Sequence, residues 1–322
     1  MNKTELDAGL NILFNDRENL LAEIYFILKD GQETKLRLAD LDGAAQQDLT
    51  KQFIDKVNEE VVYNEDLNIL KISEADDRTN VIYEYDLEEI PEELQVIDQI
   101  IENEELPIFS FSADRLEQIK GIAILLEKDG QNLVIYKKHY PINLYKKDSG
   151  ISIKRLGNHQ RFTILKDDVV KIHTNFEFFK FNNTLFINNL NTLEKFFGFH
   201  EVIKRKATSC IDEIENLHIL ENPTELRGML DDISYARKLT KAGSNSPVLG
   251  VIPNPSIISF VETFPLLKGK IELNADKTKL KLTSKKSKQL FVKLLNDDFL
   301  QSELTRLYYD SLAKDTVEVA QN

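Results

Sequence analysis

The chain has 322 residues, 42% hydrophobic and 30% charged, with a formal net charge of −13 and a single cysteine, Cys210. One thiol excludes an intramolecular disulfide framework and a thiolate zinc cage and fits a reducing compartment, while the length allows one large core or two smaller ones. No basic stretch followed by an apolar core opens the sequence, and runs such as Ile122–Leu126 fall far short of the ~20 residues that span a bilayer, so a soluble protein is expected.

From the amino terminus, a short amphipathic helix is expected over residues 5–13. Strands follow at 21–28 and 35–38, with Asp30-Gly31 as the turn. Leu49, Phe53 and Val57 recur about every four residues and predict a helix over 44–62. A strand pair is expected at 67–72 and 81–85, then a helix over 91–101 with Pro91 in its first turn. A hairpin is expected at 120–127 and 133–137 around Asp129-Gly130, with further strands at 151–155, 161–165 and 169–173. Another hairpin, 176–181 with 185–188, flanks Asn182-Asn183. Helices are then predicted over 193–219, in one or two pieces, and over 225–238. Residues 242–255, rich in Gly, Ser, Asn and Pro, read as a loop. A hairpin, 270–273 with 279–282, and two terminal helices complete the chain. The fold class is α+β: an antiparallel-sheet main domain with C-terminal helices, preceded by a smaller acidic α/β domain.

Charge divides by position. Residues 1–110 carry 28 Asp/Glu against 9 Lys/Arg, and residues 111–322 carry 26 against 32, balances of −19 and +6 within the total of −13. A sign change near 107–114 places a boundary there, giving an acidic domain over 1–110 for partner docking and a basic domain over 111–322 for a polyanion. Glu88, Glu89, Glu92, Glu93, Asp98, Glu102, Glu104 and Glu105 dominate the acidic surface around the 91–101 helix; a solvated helix face is the plain alternative.

Two stretches concentrate the positive charge. The first holds Lys137, Lys138, Lys146, Lys147, Lys154 and Arg155 against one acid, Asp148, with Tyr136, Tyr140 and Tyr145 nearby. That mixture suits phosphate contacts combined with base stacking, although lysines on an edge strand also discourage aggregation. The second holds nine lysines between Lys268 and Lys293 against Glu272 and Asp276. Alternation leaves Lys270, Lys279 and Lys281 opposite Ile271, Leu273, Leu280 and Leu282. In the following helix Lys285, Lys286 and Lys293 lie opposite the stripe of Leu290, Phe291, Leu294 and Leu295, and Lys288 lies off that stripe. Lysines in a first helical turn oppose the macrodipole by a few tenths of a kcal/mol each, roughly, unless an anion docks at the amide groups there. Thr283 or Ser284 is the expected cap. Both stretches are expected to line one groove that holds nucleic-acid backbone without reading sequence.

Other chemistry finds little support in the residues. No GxxxxGK[ST] loop is present, and the five histidines show neither HxxxH nor HExxH spacing. Cys210 reads as a small buried hydrophobe. Glu33-Thr34-Lys35 has an ExK form without a partner acid, and Asp297-Asp298 point about 100° apart on a helix. No catalytic, metal or cofactor site is assigned. A metal-dependent nuclease drawing on Glu177, Asp297 and Asp298 stays as an alternative, as does an adaptor whose lysines meet an acidic protein or anionic lipid.

Three segments carry a resemblance. They are Leu133-Val134-Ile135-Tyr136-Lys137-Lys138-His139-Tyr140-Pro141-Ile142-Asn143, then Leu193-Glu194-Lys195-Phe196-Phe197-Gly198-Phe199, and the C-terminal run from Leu294 through Asn296-Asp297-Asp298-Phe299 to Thr305, followed by Tyr308-Tyr309-Asp310-Ser311. Together they resemble the KwaB family, the soluble component of the two-protein Kiwa antiphage defence system, over most of residues 115–315. The resemblance implies a cytosolic, non-enzymatic DNA-binding effector that forms a homodimer or higher oligomer. It further implies a membrane-embedded, KwaA-like partner of four helices that recruits the protein to the inner membrane, and interference with phage DNA replication and expression. The motifs are structural, so the lysines above are the residues carried over and 296–305 is read as scaffold.

Overall fold

The computed structural model describes residues 1–15, 20–31, 33–75, 78–91, 94–102, 105–146, 151–156 and 161–311. The chain divides into two compact units, one of residues 1–69, 80–85 and 92–193, the other of 70–79, 86–91 and 194–322.

The first unit is built on an antiparallel sheet. Its elements are α1 (Lys3–Phe14), β1 (Leu21–Asp30), β2 (Glu33–Leu38), α2 (Gly43–Val57), β3 (Asn68–Lys71), β4 (Val81–Glu84), α3 (Val96–Glu102), β5 (Ile119–Lys128), β6 (Gln131–Lys138), β7 (Leu144–Tyr145), β8 (Ile153–Arg155), β9 (Phe162–Ile164), β10 (Val169–Val170), β11 (Phe178–Phe181) and β12 (Thr184–Ile187). Eight strands form one sheet in the order β2-β1-β5-β6-β11-β12-β4-β3, and every pairing from β2 to β4 is antiparallel. The α+β expectation holds. Strands from the acidic amino-terminal residues and from the basic middle of the chain lie side by side, since β1 pairs with both β2 and β5. The sign change near residue 110 therefore falls inside this unit.

Turn chemistry explains the hairpins. Asp129 (φ 50°) and Gly130 (φ 78°) both adopt the left-handed conformation that a two-residue hairpin loop requires. On one sheet face Ile24, Phe26, Leu28, Ile122, Ile124, Leu126, Leu133, Ile135, Phe179, Phe181 and Phe186 join Leu6, Leu10 and Leu13 of α1 and Phe53, Ile54 and Val57 of α2 in one buried core. Asn2 starts α1 with a reciprocal capping box to Glu5, at 2.9 and 3.0 Å. Gly9 lets α1 approach closely, because a Cβ there would stand 2.6 Å from the Phe181 ring. On the opposite face Tyr136 stacks on Phe178 with centroids 4.3 Å apart, and Lys180 reaches Asp98 of α3. The predicted helix over 44–62 is α2 followed by one π-helical turn, Asn58–Val62.

The second unit is mostly helical: α4 (Leu190–Phe196) leads into it, then α5 (Phe199–Asn216), a 3₁₀ segment Pro223–Met229, α6 (Ile233–Asn245), α7 (Asn254–Thr263), β13 (Glu272–Leu273), β14 (Leu280–Lys281), α8 (Lys285–Leu295), β15 (Phe299–Gln301) and β16 (Tyr308–Asp310). Gly198, at φ 64°, separates α4 from α5 and accounts for the two pieces within 193–219. Residues 225–238 are not one helix, because Asp232 accepts the Tyr235 N–H and starts α6 afresh. The expected 242–255 loop is shortened by the end of α6 and the start of α7. The second terminal helix is replaced by the β15–β16 hairpin, in register Phe299↔Asp310, Leu300↔Tyr309, Gln301↔Tyr308. Gly243 brings α6 against α5, where a Cβ would meet that of Cys210 at 2.9 Å. Among the described residues, no helix is long and apolar enough to cross a membrane.

Candidate nucleic-acid interface

The first lysine stretch lies in the first unit and does not act as one patch. On β6 alternation turns Lys137 onto the core face, paired in register with Ile122. It is only 4% exposed, and its Nζ lies 3.0 Å from Glu177 Oε1. Lys137 is thus withdrawn from the solvent-facing cations, because a buried ammonium needs a carboxylate beside it. Glu177 Oε2 accepts the Lys138 N–H at 2.6 Å. Burial pushes the Glu177 carboxyl above its usual range, against the pull of the Lys138 N–H and the Lys137 ammonium. Burial also lowers the Lys138 ammonium and the neighbouring His139.

The tyrosines divide similarly. Tyr136 is buried in its stack with Phe178 and offers no face to a base. The Tyr140 ring receives Lys137 and Lys138 at 5.9 and 5.7 Å from its centroid. Lys146 pairs with Glu117, and Lys147 lies outside the described residues. Lys154 and Arg155 are exposed on β8, which among the described residues pairs with β9 in a two-stranded ribbon.

The second stretch lies in the second unit and does form one local module: β14 carries Lys281, Lys279 immediately precedes it, and α8 follows. Ser284 is the cap, accepting the Ser287 N–H at 3.0 Å while Ser287 Oγ accepts the Ser284 N–H at 3.0 Å. Several of these lysines stand beside carboxylates. Lys281 lies 3.6 Å from Glu221, Lys285 3.9 Å from Asp232, Lys288 3.3 Å from Glu225 and Lys293 2.6 Å from Asp310. Lys279, half-buried, and Lys286, exposed, carry no ion pair among the described residues. Lys286 and Lys293 also border a cavity of about 280 Å³ with Lys238, Asp232, Ser234 and Gln289. Sequence reasoning missed the acidic partners because each comes from a segment outside the 268–293 stretch. It also missed Lys238, an isolated lysine on α6.

The remaining candidates have local roles. Cys210 is buried, and burial pushes its thiol up to about 12. Glu177 is held by Lys137 and Lys138, and Asp298 is 5% exposed. Among the described residues no group of three or more His, Cys, Asp or Glu side chains is placed to hold a metal ion.

The profile of the Kiwa protein KwaB-like family matches residues 116–305. The chain belongs to the KwaB family. A curated family member, Kiwa protein KwaB of Escherichia coli O55:H7 (strain RM12579 / EPEC), is 31% identical over 288 residues, which cover 88% of this chain and 90% of that protein. No solved structure matches the chain. For a KwaB-family chain the matched span takes in β5, β6, β11, β12 and α8 together, so the family signal includes both lysine stretches and the buried Lys137–Glu177 pair.

Proposed function

We propose that this KwaB-family protein is a non-enzymatic component of Kiwa antiphage defence that holds DNA by its backbone, with a membrane-embedded partner that brings it to the inner membrane. The observation that carries the DNA reading is the run of Lys279, Lys281, Lys285, Lys286, Lys288 and Lys293 along β14 and α8, around a capped helix start whose amides favour an anion. The nearby carboxylates reduce this field without cancelling it: the exposed Lys281–Glu221 and Lys285–Asp232 pairs are worth only ~0–1 kcal/mol, so a phosphate can exchange with them, whereas the more covered Lys288 and Lys293 stay with Glu225 and Asp310.

About three to four effective phosphate contacts would lower duplex affinity by roughly 40- to 150-fold between 50 and 200 mM salt. The test is a binding isotherm for Lys279→Glu/Lys286→Glu, two cations without ion pairs, with circular dichroism to confirm the fold. Affinity should fall, and the salt slope should flatten by about one for each contact removed. Unchanged affinity and slope would overturn the backbone reading.

The interleaved acids favour a second reading, in which this mixed-charge face meets a protein. Excess DNA should then fail to displace that protein. The acidic amino-terminal segments would suit the Lys/Arg-rich cytoplasmic loops of a membrane partner, and self-association belongs to the same proposal.

A further inference from the structure

The β8–β9 ribbon places an unusual side-chain set at the surface. Its register is Ile153↔Ile164, Lys154↔Thr163 and Arg155↔Phe162, extended by Leu165 N–H to the Ser152 carbonyl at 2.7 Å and Leu156 N–H to the Arg161 carbonyl at 2.9 Å. Period-two alternation then puts Ile153, Arg155, Phe162 and Ile164 on one face, with Ile151 continuing the row. That face is open to solvent: Ile151 is 82% exposed, Ile153 59%, Phe162 72% and Ile164 53%. The other face is mixed: Ser152, Thr163 and Leu165 are half-buried, while Lys154, Leu156 and Arg161 are exposed. A contiguous row of large apolar side chains exposed on one strand face marks a surface that meets something other than water.

Charge states what that something is. Residues 151–168 contain Lys154, Arg155, Arg161 and Lys166 against Asp167 and Asp168, a local balance of +2. Within a Debye length of ~8 Å these cations outweigh the distant net charge of the chain. The occupant is therefore apolar where the row touches it and anionic around it. Nucleic acid meets the second condition but not the first: bases stack on aromatic faces, and three of the four residues in the row are isoleucines, which offer none. A bilayer surface meets both, with acyl chains below and anionic headgroups level with the cations.

We propose that the β8–β9 ribbon is a direct contact with anionic lipid, inserting Ile151, Ile153, Phe162 and Ile164 at the headgroup boundary while Arg155, on the same face, meets a phosphate and the long side chains of Lys154 and Arg161 reach others around the ribbon from its opposite face. This contact is independent of the DNA reading and of any membrane-protein partner. It gives Lys154 and Arg155 a lipid role in place of a nucleic-acid one.

The full chain contains no tryptophan, so Phe162→Trp creates a single reporter at an exposed site. With vesicles of phosphatidylcholine and phosphatidylglycerol its emission should shift to the blue and be quenched by brominated acyl chains, and vesicles of phosphatidylcholine alone should leave it unchanged. A steady emission with anionic vesicles would overturn the proposal. So would a shift produced by duplex or single-stranded DNA, or by raising protein concentration without lipid, which would assign the face to nucleic acid or to a second copy of the chain. Lys154→Glu/Arg161→Glu, both surface changes, should reduce sedimentation with anionic vesicles by more than about 20-fold, near fivefold per cation lost. Full retention of binding in that variant would equally refute it.

Discussion

Lys137→Met tests the reasoning most directly, because it removes one member of a pair whose two side chains are each 5% exposed and 3.0 Å apart. The Glu177 carboxylate would keep the Lys138 N–H as its hydrogen-bond donor and the field of the Lys138 ammonium, and lose the buried cation that touches it. Breaking a buried pair from one side costs about 3–5 kcal/mol, against a total stability on the order of 5–15 kcal/mol. With an m-value of roughly 3 kcal/mol/M, the urea midpoint followed by far-ultraviolet circular dichroism should fall by about 1–2 M. Lys137→Met/Glu177→Gln leaves no buried charge and keeps an oxygen for the Lys138 N–H, so it should recover to within about 1–2 kcal/mol of the parent. The deficit of the single variant should also depend on pH. Burial already holds the Glu177 carboxyl above its ordinary value of 4.5, and without Lys137 it rises further. An acid with a raised folded value stabilises the fold fully below its unfolded value, and that contribution is lost as pH rises through the folded one. The single variant should thus be nearest the parent at about pH 4–5 and furthest from it at neutral pH. A cost below about 1 kcal/mol at neutral pH, or a double variant no better than the single, would refute the account.

Two other changes probe packing. Gly121→Ala places a Cβ 2.6 Å from the Tyr136 hydroxyl and 2.7 Å from its ring, inside a stack that cannot move freely, so it should cost about 1–3 kcal/mol in thermal or urea unfolding; no loss of stability would contradict that crowding. Raising the Cys210 thiol from 9.0 to about 12 leaves roughly 10³-fold less thiolate at neutral pH. Ellman's reagent should therefore label the folded chain very slowly and the urea-unfolded chain at once, and rapid native labelling would refute the burial.

Local chemistry was readable where a few adjacent residues decide the geometry. Asp129-Gly130, Asn182-Asn183 and Asp30-Gly31 announced three hairpins, and the structure places Asp129, Asn182 and Gly31 at positive φ. The α8 cap was legible to within one residue for the same reason, Thr283 or Ser284, and the structure gives it to Ser284. Pairings between distant segments were not: nothing near β1 names β5 as its neighbour, and nothing in β6 says that Lys137 will meet Glu177, forty positions later. Counting charges within 268–293 likewise overlooked Glu221, Glu225, Asp232 and Asp310, which the fold returns to those lysines. The β8–β9 ribbon is the opposite case. Its alternating isoleucines and local excess of cations were visible in the sequence, but only the exposed face gave them meaning.

The way the chain threads its two units also bears on how it can be made. It leaves the first unit after residue 69, returns at 80–85 and 92, and completes that unit only at 193. At a ribosomal rate of about 5–20 residues per second, β1 waits on the order of 5–20 s for β5 to emerge. During that time its apolar edge is open to chaperones or to neighbouring nascent chains. A truncation at residue 110 would strand β1 and β2 without that neighbour, so expression trials that halve the gene there should yield aggregates.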